Sequence, residues 1–322
     1  MRRQDADPAV KPRVHVLLAT YNGERHLEQQ WASLEAQQGV EVVVHVGDDG
    51  SQDGTVQVLR RLAAAHAGAV VDVRWLDEPP RRSATRSFMM LLQSALEGDP
   101  RAAWFAFCDQ DDVWLPGKLQ AALAAIGDTP PERPALYGGR TLSVDEEGRP
   151  GGLSPLFRKP PCFRNAIVQS IMGGNTMLMN RAAATALAGS AATAFTAHDW
   201  FSYQLITGLG GVVHYDPTPY VHYRQHADNV VGSNLGWGAR WRRLKRMING
   251  DFRQWNDLHV SALLSRSAQM RPENREVLAA FDRARRSPSP LARLVWLRRS
   301  GVFRQTPLQQ VTLWVGGLLQ RI

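Results

Sequence analysis

Apolar and polar positions follow two rhythms along this chain. Five short runs, "VHVLLA" (14–19), "EVVVHV" (41–46), "VVDVRW" (70–75), "AWFAFC" (103–108) and "ALYGG" (135–139), are rich in Val and aromatics and bounded by turn residues, which predicts strands. Between them, apolar positions recur three and four residues apart. Glu24–Gln37 puts Leu27, Trp31 and Leu34 on one helical face, and Thr55–Ala67 does so with Val58, Leu59 and Leu62. Ser87–Leu96 and Pro116–Ile126 complete the set, the last with Pro in its first turn. Strand and helix in alternation predict an α/β fold: a mostly parallel sheet flanked by helices, with right-handed crossovers.

After residue 140 the rhythm changes. "TLSVDEEGRPGG" reads as a strand and turn, "PLFRKPPCFRN" as a Pro-rich loop, and "NTMLMN" as a strand leading into a helix at Arg181–Leu187. "HDWFSYQLITGL" reads as a helix, and "GVVHYD" and "YVHYRQH" as strands. No internal repeat or low-complexity tract interrupts the chain. A boundary near residues 233–238 divides a flexible 1–12 and a main domain, 13–235, from a basic, Trp-rich helical region, 236–322.

Composition narrows the class. Of 322 residues, 44% are hydrophobic and 21% charged, as in a soluble globular protein. Two cysteines, Cys108 and Cys162, are too few for a disulfide framework or a thiolate metal cage, and favour a reducing compartment. No apolar core follows the basic residues of "MRRQDADPAVKPRV", and no run reaches membrane-spanning length, so a cytoplasmic chain is expected. The net charge of +8 is uneven: from Trp237 onward there are 17 Lys and Arg against 5 Asp and Glu, while the preceding residues carry −4.

Chemistry concentrates where the strands end. In open α/β sheets, ligands sit beyond the carboxyl ends of the strands. "TYNGE" (20–24) follows the first strand, "DDGSQDGT" (48–55) the second and "DQDD" (109–112) the fourth; parallel strands bring all three to one rim. "DDGSQDGT" also suits a turn and helix cap through Ser51 or Asp53, which leaves Asp48 and Asp49 unexplained. Asp109, Asp111 and Asp112 are three carboxylates in four positions, which raise each other's pKa unless a cation joins them. Mg2+ or Mn2+ commonly binds one or two carboxylates together with substrate phosphates. No Gly-rich phosphate loop is present to compete: the chain lacks G-x-x-x-x-G-K-[ST], and lacks G-x-G-x-x-G between strand and helix.

Together, "VLLATYNGE", "VGDDGSQDGT" and "FCDQDDVWLPGKL" resemble the pattern of glycosyltransferase family 2, on the Rossmann-like GT-A fold. "GGNTMLMNR" (173–181), "HDWFSYQL" (198–205) and "VHYRQHADNVVG" (221–232) are most similar to its bacterial, rhamnosyltransferase-like branch, which builds surface polysaccharides. The resemblance spans about residues 13–235. It implies a metal-dependent, inverting transfer of a sugar from a dTDP- or UDP-sugar to a glycan or lipid-linked glycan.

The implied roles fall on individual residues. Thr20 and Tyr21 lie in the loop that holds the nucleobase, and Asp49, with Asp48 beside it, would hydrogen-bond the base. Asp109 and Asp111 form the D-x-D, Asp109 facing ribose or metal and Asp111 ligating the ion. Asp199 stands at the catalytic base, and His226 is a further candidate metal ligand. Three positions depart from the family pattern: His198 replaces the usual acid before the base, Ser87 stands where relatives often carry Asn, and Asn175 stands where a small or sulfur-bearing residue is common. Arg86 is a weaker candidate phosphate contact. Asp199 also suits a helix N-terminus on charge alone. Trp200 reads either as a sugar-binding platform or as core. A non-catalytic nucleotide-binding module and a sugar nucleotidyltransferase are the alternatives; the first needs no base at Asp199, and the second normally shows a Gly-rich basic loop that "TYNGERH" is not.

The basic tail mixes Arg and Lys with Trp and Phe in "WGARWRRLKRMINGDFRQW" and again from Ser289 onward. Such a blend suits peripheral contact with the anionic inner face of a membrane, and equally suits amphipathic helices packed back on the domain. Nucleic acid is not expected as a partner, because no nucleic-acid motif is present.

Overall fold

The computed structural model of the protein describes residues 11–76, 82–225 and 251–322. The expected alternation is present: β1 (Arg13–Thr20), α1 (Leu27–Glu35), β2 (Glu41–Asp48), α2 (Thr55–Ala64), β3 (Val70–Trp75), α3 (Ala84–Gly98) and β4 (Trp104–Cys108). A two-residue β5 (Val113–Trp114) then precedes α4 (Lys118–Ile126) and β6 (Ala135–Gly139). Pro116 stands before α4 rather than in its first turn, and its carbonyl accepts from Gln38 N at 3.0 Å.

The chain continues through β7 (Leu142–Val144), β8 (Pro150–Leu153), α5 (Phe163–Ala166), β9 (Leu178–Asn180), α6 (Arg181–Ala188), α7 (His198–Gly208), β10 (Val212–Asp216) and β11 (Val221–Arg224). The main sheet has the order β10-β6-β9-β4-β1-β2-β3. β1 pairs parallel with β2 and β4, β2 with β3, and β6 with β10. Only β9 runs antiparallel, between β4 and β6. Asn180 pins it there: its Oδ1 accepts from Ala135 N at 2.9 Å and from Ala183 N at 3.0 Å, capping α6, while its Nδ2 donates to Arg133 O.

β1 and β2 are covered on both faces, so they read as unbroken apolar runs rather than alternating ones. Trp31, Leu34 and Leu59 close one side of the sheet; Phe88, Leu92, Phe105 and Phe107 belong to the cluster on the other. A second sheet, ordered β5-β11-β7-β8, was not legible in the sequence, and it brings β11 against the segment that follows the D-x-D.

Four further helices, Asp251–Ser265, Pro272–Arg286, Pro290–Ser300 and Pro307–Leu318, form the described part of the C-terminal region. They pack back on the body. Val260, Leu263, Leu278, Phe281, Leu297 and Leu313 share one buried cluster with Phe163, Ile167 and Phe201. Polar bonds lock the contact: Asn165 Nδ2 donates to Phe303 O at 3.0 Å, Gln305 Nε2 to Lys159 O at 3.0 Å, and Arg304 Nε to Val168 O at 3.1 Å. Among the described residues, no helix is long and apolar enough to cross a membrane. His226, the expected boundary near 233–238, and the "WGARWRRLKRM" segment lie outside the described residues.

Candidate active site

Strand register brings the three polar clusters to one rim. Thr20 sits opposite Asp48, and Leu18 opposite Cys108, so the loops after β1, β2 and β4 leave from the same edge.

The first two loops form one interlocked unit. Buried Thr20 donates Oγ1 to Asp48 Oδ1 at 3.0 Å, and Asp48 Oδ2 accepts from Gly50 N at 3.1 Å and Ser51 N at 2.9 Å. Asn22 N donates to Ser51 Oγ, and Gln52 N returns a bond to Asn22 Oδ1, both at 2.8 Å. Gly54 stands at the cap of α2 with no side-chain cap bond, so neither expected residue caps that helix: Asp53 accepts from Thr55 N at 3.0 Å in a local turn, and Ser51 donates its hydroxyl to Asp48. The side chains of Thr20 and Asp48 therefore shape the rim, and Tyr21, 55% exposed, is held out from it.

Asp49 accepts from Arg82 N at 2.8 Å and Ser83 N at 2.9 Å, and so fixes the entry to α3. Arg86 lies exposed in the first turn of that helix, and Ser87 is buried.

The D-x-D segment is electrostatically tense. Burial pushes the Asp109 carboxyl up to about 7, with further upward pressure from Asp111 and Asp199. Burial also raises Asp112 well above the usual carboxylate range, with Asp111 and Asp109 adding to it. Asp112 is 1% exposed; it takes a hydrogen bond from Asn175 Nδ2 and another from Arg224 N at 3.3 Å. Beside it, burial lowers the Lys118 ammonium to about 7, with Nζ 3.3 Å from the centre of the Trp114 ring.

Asp199 opens α7, and its Oδ1 accepts from Trp200 N at 2.7 Å. The preceding Ala197 has a left-handed backbone, φ 50°, an unfavourable conformation for a residue with a Cβ. Burial lowers the His198 imidazole below its ordinary value against the pull of Asp199, and its ring lies 4.4 Å from that of Phe88 and 4.7 Å from that of Phe107. Trp200 is 4% exposed, and its Nε1 donates to Ala166 O at 2.7 Å. The core reading, not the platform, describes it: Trp200 anchors the helix that presents Asp199.

Four carboxylates act electrostatically on one phenol. Burial raises the Tyr223 hydroxyl, and Asp112, Asp109, Asp111 and Asp199 all push it further in the same direction. Asp109, Asp111 and Asp199, separated by up to 90 positions in the chain, thus share one electrostatic neighbourhood. Asp49 stands on the same rim with its carboxylate turned to α3.

Three residues of this region carried no signal of their own in the sequence. Tyr223 reads as an ordinary strand aromatic. Gln110, between two acids, joins Tyr21 through a pair of hydrogen bonds. Buried Arg224 donates to Asp111 O at 3.1 Å, to Glu146 O at 2.6 Å and to Gln29 Oε1 at 2.5 Å, tying the D-x-D loop to α1 and to the β7–β8 turn.

A divalent ion is compatible with this donor set. Among the described residues, no group of three or more His, Cys, Asp and Glu is arranged to hold an ion alone. A Mg2+ or Mn2+ site needs no such group when phosphate and water complete it, and crowded carboxylates are the side chains it relieves.

A family description, Glycosyl transferase family 2, matches residues 15–184, more than half of the chain. The chain belongs to glycosyl transferase family 2. It is 24% identical over 246 residues to the dTDP-rhamnosyl transferase RfbG of Shigella flexneri, spanning 74% of this chain and 81% of RfbG. The solved structure of S. aureus TarS 1–349 in complex with UDP-GlcNAc matches with a TM-score of 0.55 at 18% identity, covering 96% of this chain and 81% of that one. GalNAc-T7 with UDP, GalNAc and Mn2+ matches with a TM-score of 0.50 at 10% identity, covering 95% and 58%. The transferase therefore has the GT-A fold, a mostly parallel sheet flanked by helices, and its D-x-D lies on the rim where that sheet's parallel strands end.

Proposed function

We propose that this glycosyltransferase moves a sugar, rhamnose first among the candidates, from a nucleoside-diphosphate donor to a hydroxyl of a glycan or lipid-linked glycan, with inversion and with help from a divalent cation. The observation that carries the proposal is the convergence of the loops after β1, β2 and β4 on one rim, with Asp109, Asp111 and Asp199 acting on one another or on Tyr223 electrostatically. Likeness to RfbG supports rhamnose and a dTDP donor. Mn2+ accompanying UDP in GalNAc-T7 supports the metal.

In this reading, exposed Tyr21 offers its ring to the nucleobase beside Asp49, on a loop that Thr20 and Asp48 hold in shape. Asp109 and Asp111 would hold the ion, with His226 a further proposed ligand, and bound there it would supply positive charge toward the departing diphosphate. Asp199 takes the proton of the acceptor hydroxyl as that oxygen bonds to the anomeric carbon and the diphosphate leaves with its electron pair. A single displacement with a carboxylate base inverts the anomeric centre.

Thermal shift with dTDP- and UDP-sugars, with and without Mn2+, tests donor and metal together. A donor at one hundred times its Kd stabilises the fold by about 2.7 kcal/mol. The expected result is a metal-dependent rise in Tm with a dTDP-sugar. No rise with any nucleotide-sugar overturns the proposal. Asp199→Asn should keep the rise and lose transfer by roughly a hundredfold or more; near-normal turnover in that variant removes Asp199 as the base.

A further inference from the structure

The last two helices carry an apolar surface that the catalytic reading leaves unused. Pro307–Leu318 buries Leu313, Gly316 and Gly317 against the body, with Gly317 close enough to Leu297 that a Cβ would come within 2.9 Å of it. Its other side exposes Leu308 (68%), Val311 (58%), Val315 (42%) and Leu318 (41%), spaced as a single helical stripe, followed by Leu319 at 60%. The neighbouring helix, Pro290–Ser300, exposes Leu291 (75%) and Val295 (49%), with Arg298 and Arg299 exposed one turn further on. A single exposed Leu is ordinary; rows of this kind on adjacent helices mark a contact surface.

Charge selects the occupant. Residues 287–322 contain no Asp or Glu and five Arg, of which Arg298, Arg299 and Arg321 are exposed while Arg293 and Arg304 turn inward to backbone carbonyls. A second copy would set this surface against the same sign of charge. Residues 226–250, with five Lys and Arg against one Asp, carry the same sign of charge. An anionic surface that also accepts apolar side chains meets both requirements, and lipid headgroups over acyl chains provide one. Buried Arg293 Nη2 donates to Leu318 O at 2.7 Å and ties the two helices together. Such helices lie in the plane of the interface rather than across it.

We infer that Leu291, Val295, Leu308, Val311, Val315 and Leu318, with Arg298 and Arg299, form a docking face for an anionic lipid bilayer. The face stands apart from the residues proposed for donor, metal and base, and vesicle binding needs no turnover.

Flotation of the full chain with vesicles provides that test. The protein should float with vesicles of phosphatidylcholine and phosphatidylglycerol, remain at the bottom with phosphatidylcholine alone, and lose binding as salt rises. The combined Leu308→Gln, Val311→Gln and Val315→Gln variant should bind roughly tenfold more weakly. Arg298→Ala with Arg299→Ala should weaken binding and flatten its salt dependence. Circular dichroism and thermal melting should match the parent, because these side chains are exposed. Failure of the parent to float, equal flotation of the triple Gln variant, or a dimer in sedimentation that the triple variant dissociates would each overturn the inference, the last by making the face a contact between copies.

Discussion

Gln110 and Tyr21 exchange two hydrogen bonds: Tyr21 N donates to Gln110 Oε1 at 2.8 Å, and Gln110 Nε2 donates to Tyr21 O at 2.9 Å. A side-chain amide thus pairs with backbone 89 positions away, as a strand neighbour would. The pair sets the distance between the loop proposed to hold the nucleobase and the loop proposed to hold the metal. Gln110→Ala removes both bonds, each worth about 0.5–1.5 kcal/mol. A Cβ on Gly23 would overlap the Gln110 amide, so Gly23→Ala should displace the same side chain. Both variants should raise the donor KM roughly three- to tenfold, by the same bond energies, with a smaller change in kcat. The double variant should fall well short of the sum. Donor titration of the four proteins checks this; additive effects would show that Gln110 is not the shared element.

Removing one carboxylate should stabilise the metal-free protein. The Asp109 carboxyl ionises near pH 7 in the fold, against an ordinary value of 3.8. A carboxyl raised in this way favours the folded state at low pH, and that contribution is lost as pH rises from 3.8 through about 7. Asp109→Asn carries no charge and escapes the loss. At pH 8 without metal it should melt higher, by an amount on the order of 4 kcal/mol at most, while transfer collapses. An unchanged or lower Tm at pH 8 would mean that Asp109 is not repelled.

The sequence shows the rim more readily than its bracing. Strand periodicity and parallel order suffice to send "TYNGE", "DDGSQDGT" and "DQDD" to one edge, because every parallel strand ends on the same side. The observed ends of β1, β2 and α3 lie within three residues of the expected ones, since local propensity governs element cores and tertiary bonds their termini. Trp200 was ambiguous because burial depends on what lies above it, here Ala166 and His259. Arg224 was invisible for a similar reason: its acceptors include backbone carbonyls and a Gln29 side chain 195 positions away, and carbonyls have no sequence signature. Of the second sheet, β7 and β11 were legible as strands in "TLSVDEEGRPGG" and "YVHYRQH", whereas the two-residue β5 and the pairing that joins these strands into one sheet were not.

Asn175 and Asp112 form a buried pair that braces the D-x-D from behind. Asn175→Ala leaves the Asp112 carboxyl buried with weaker support from Arg224 N, so the fold should lose about 1–3 kcal/mol. Asp112→Ala should cost a similar amount, because it strands the Asn175 amide. The double Ala variant should cost clearly less than the sum, since neither side chain then strands the other and only the Arg224 N contact to Asp112 is lost. Urea denaturation of the three variants measures the coupling; simple additivity would separate the two residues.

Two buried histidines give the fold an acid limit remote from catalysis. His15 Nδ1 and His45 Nε2 are 2.9 Å apart at the heart of the sheet, and His15 Nε2 lies 3.6 Å from Asp99 Oδ2. Burial lowers His15 to about 4 despite Asp99, and burial followed by its His15 neighbour lowers His45 to about 3. Unfolded, each takes a proton near pH 6.5. Between those values the unfolded chain binds more protons, so stability is held above pH 6.5 and lost as pH falls toward 4 and 3. The loss should be on the order of 3 kcal/mol for each histidine. Replacing both, as His15→Val with His45→Val, should lower the pH of half-unfolding and leave the pH 8 melting temperature little changed, because Val suits a buried strand. An acid titration followed by circular dichroism decides the matter: if the Val variant unfolds at the parent's pH, the pair does not set the limit.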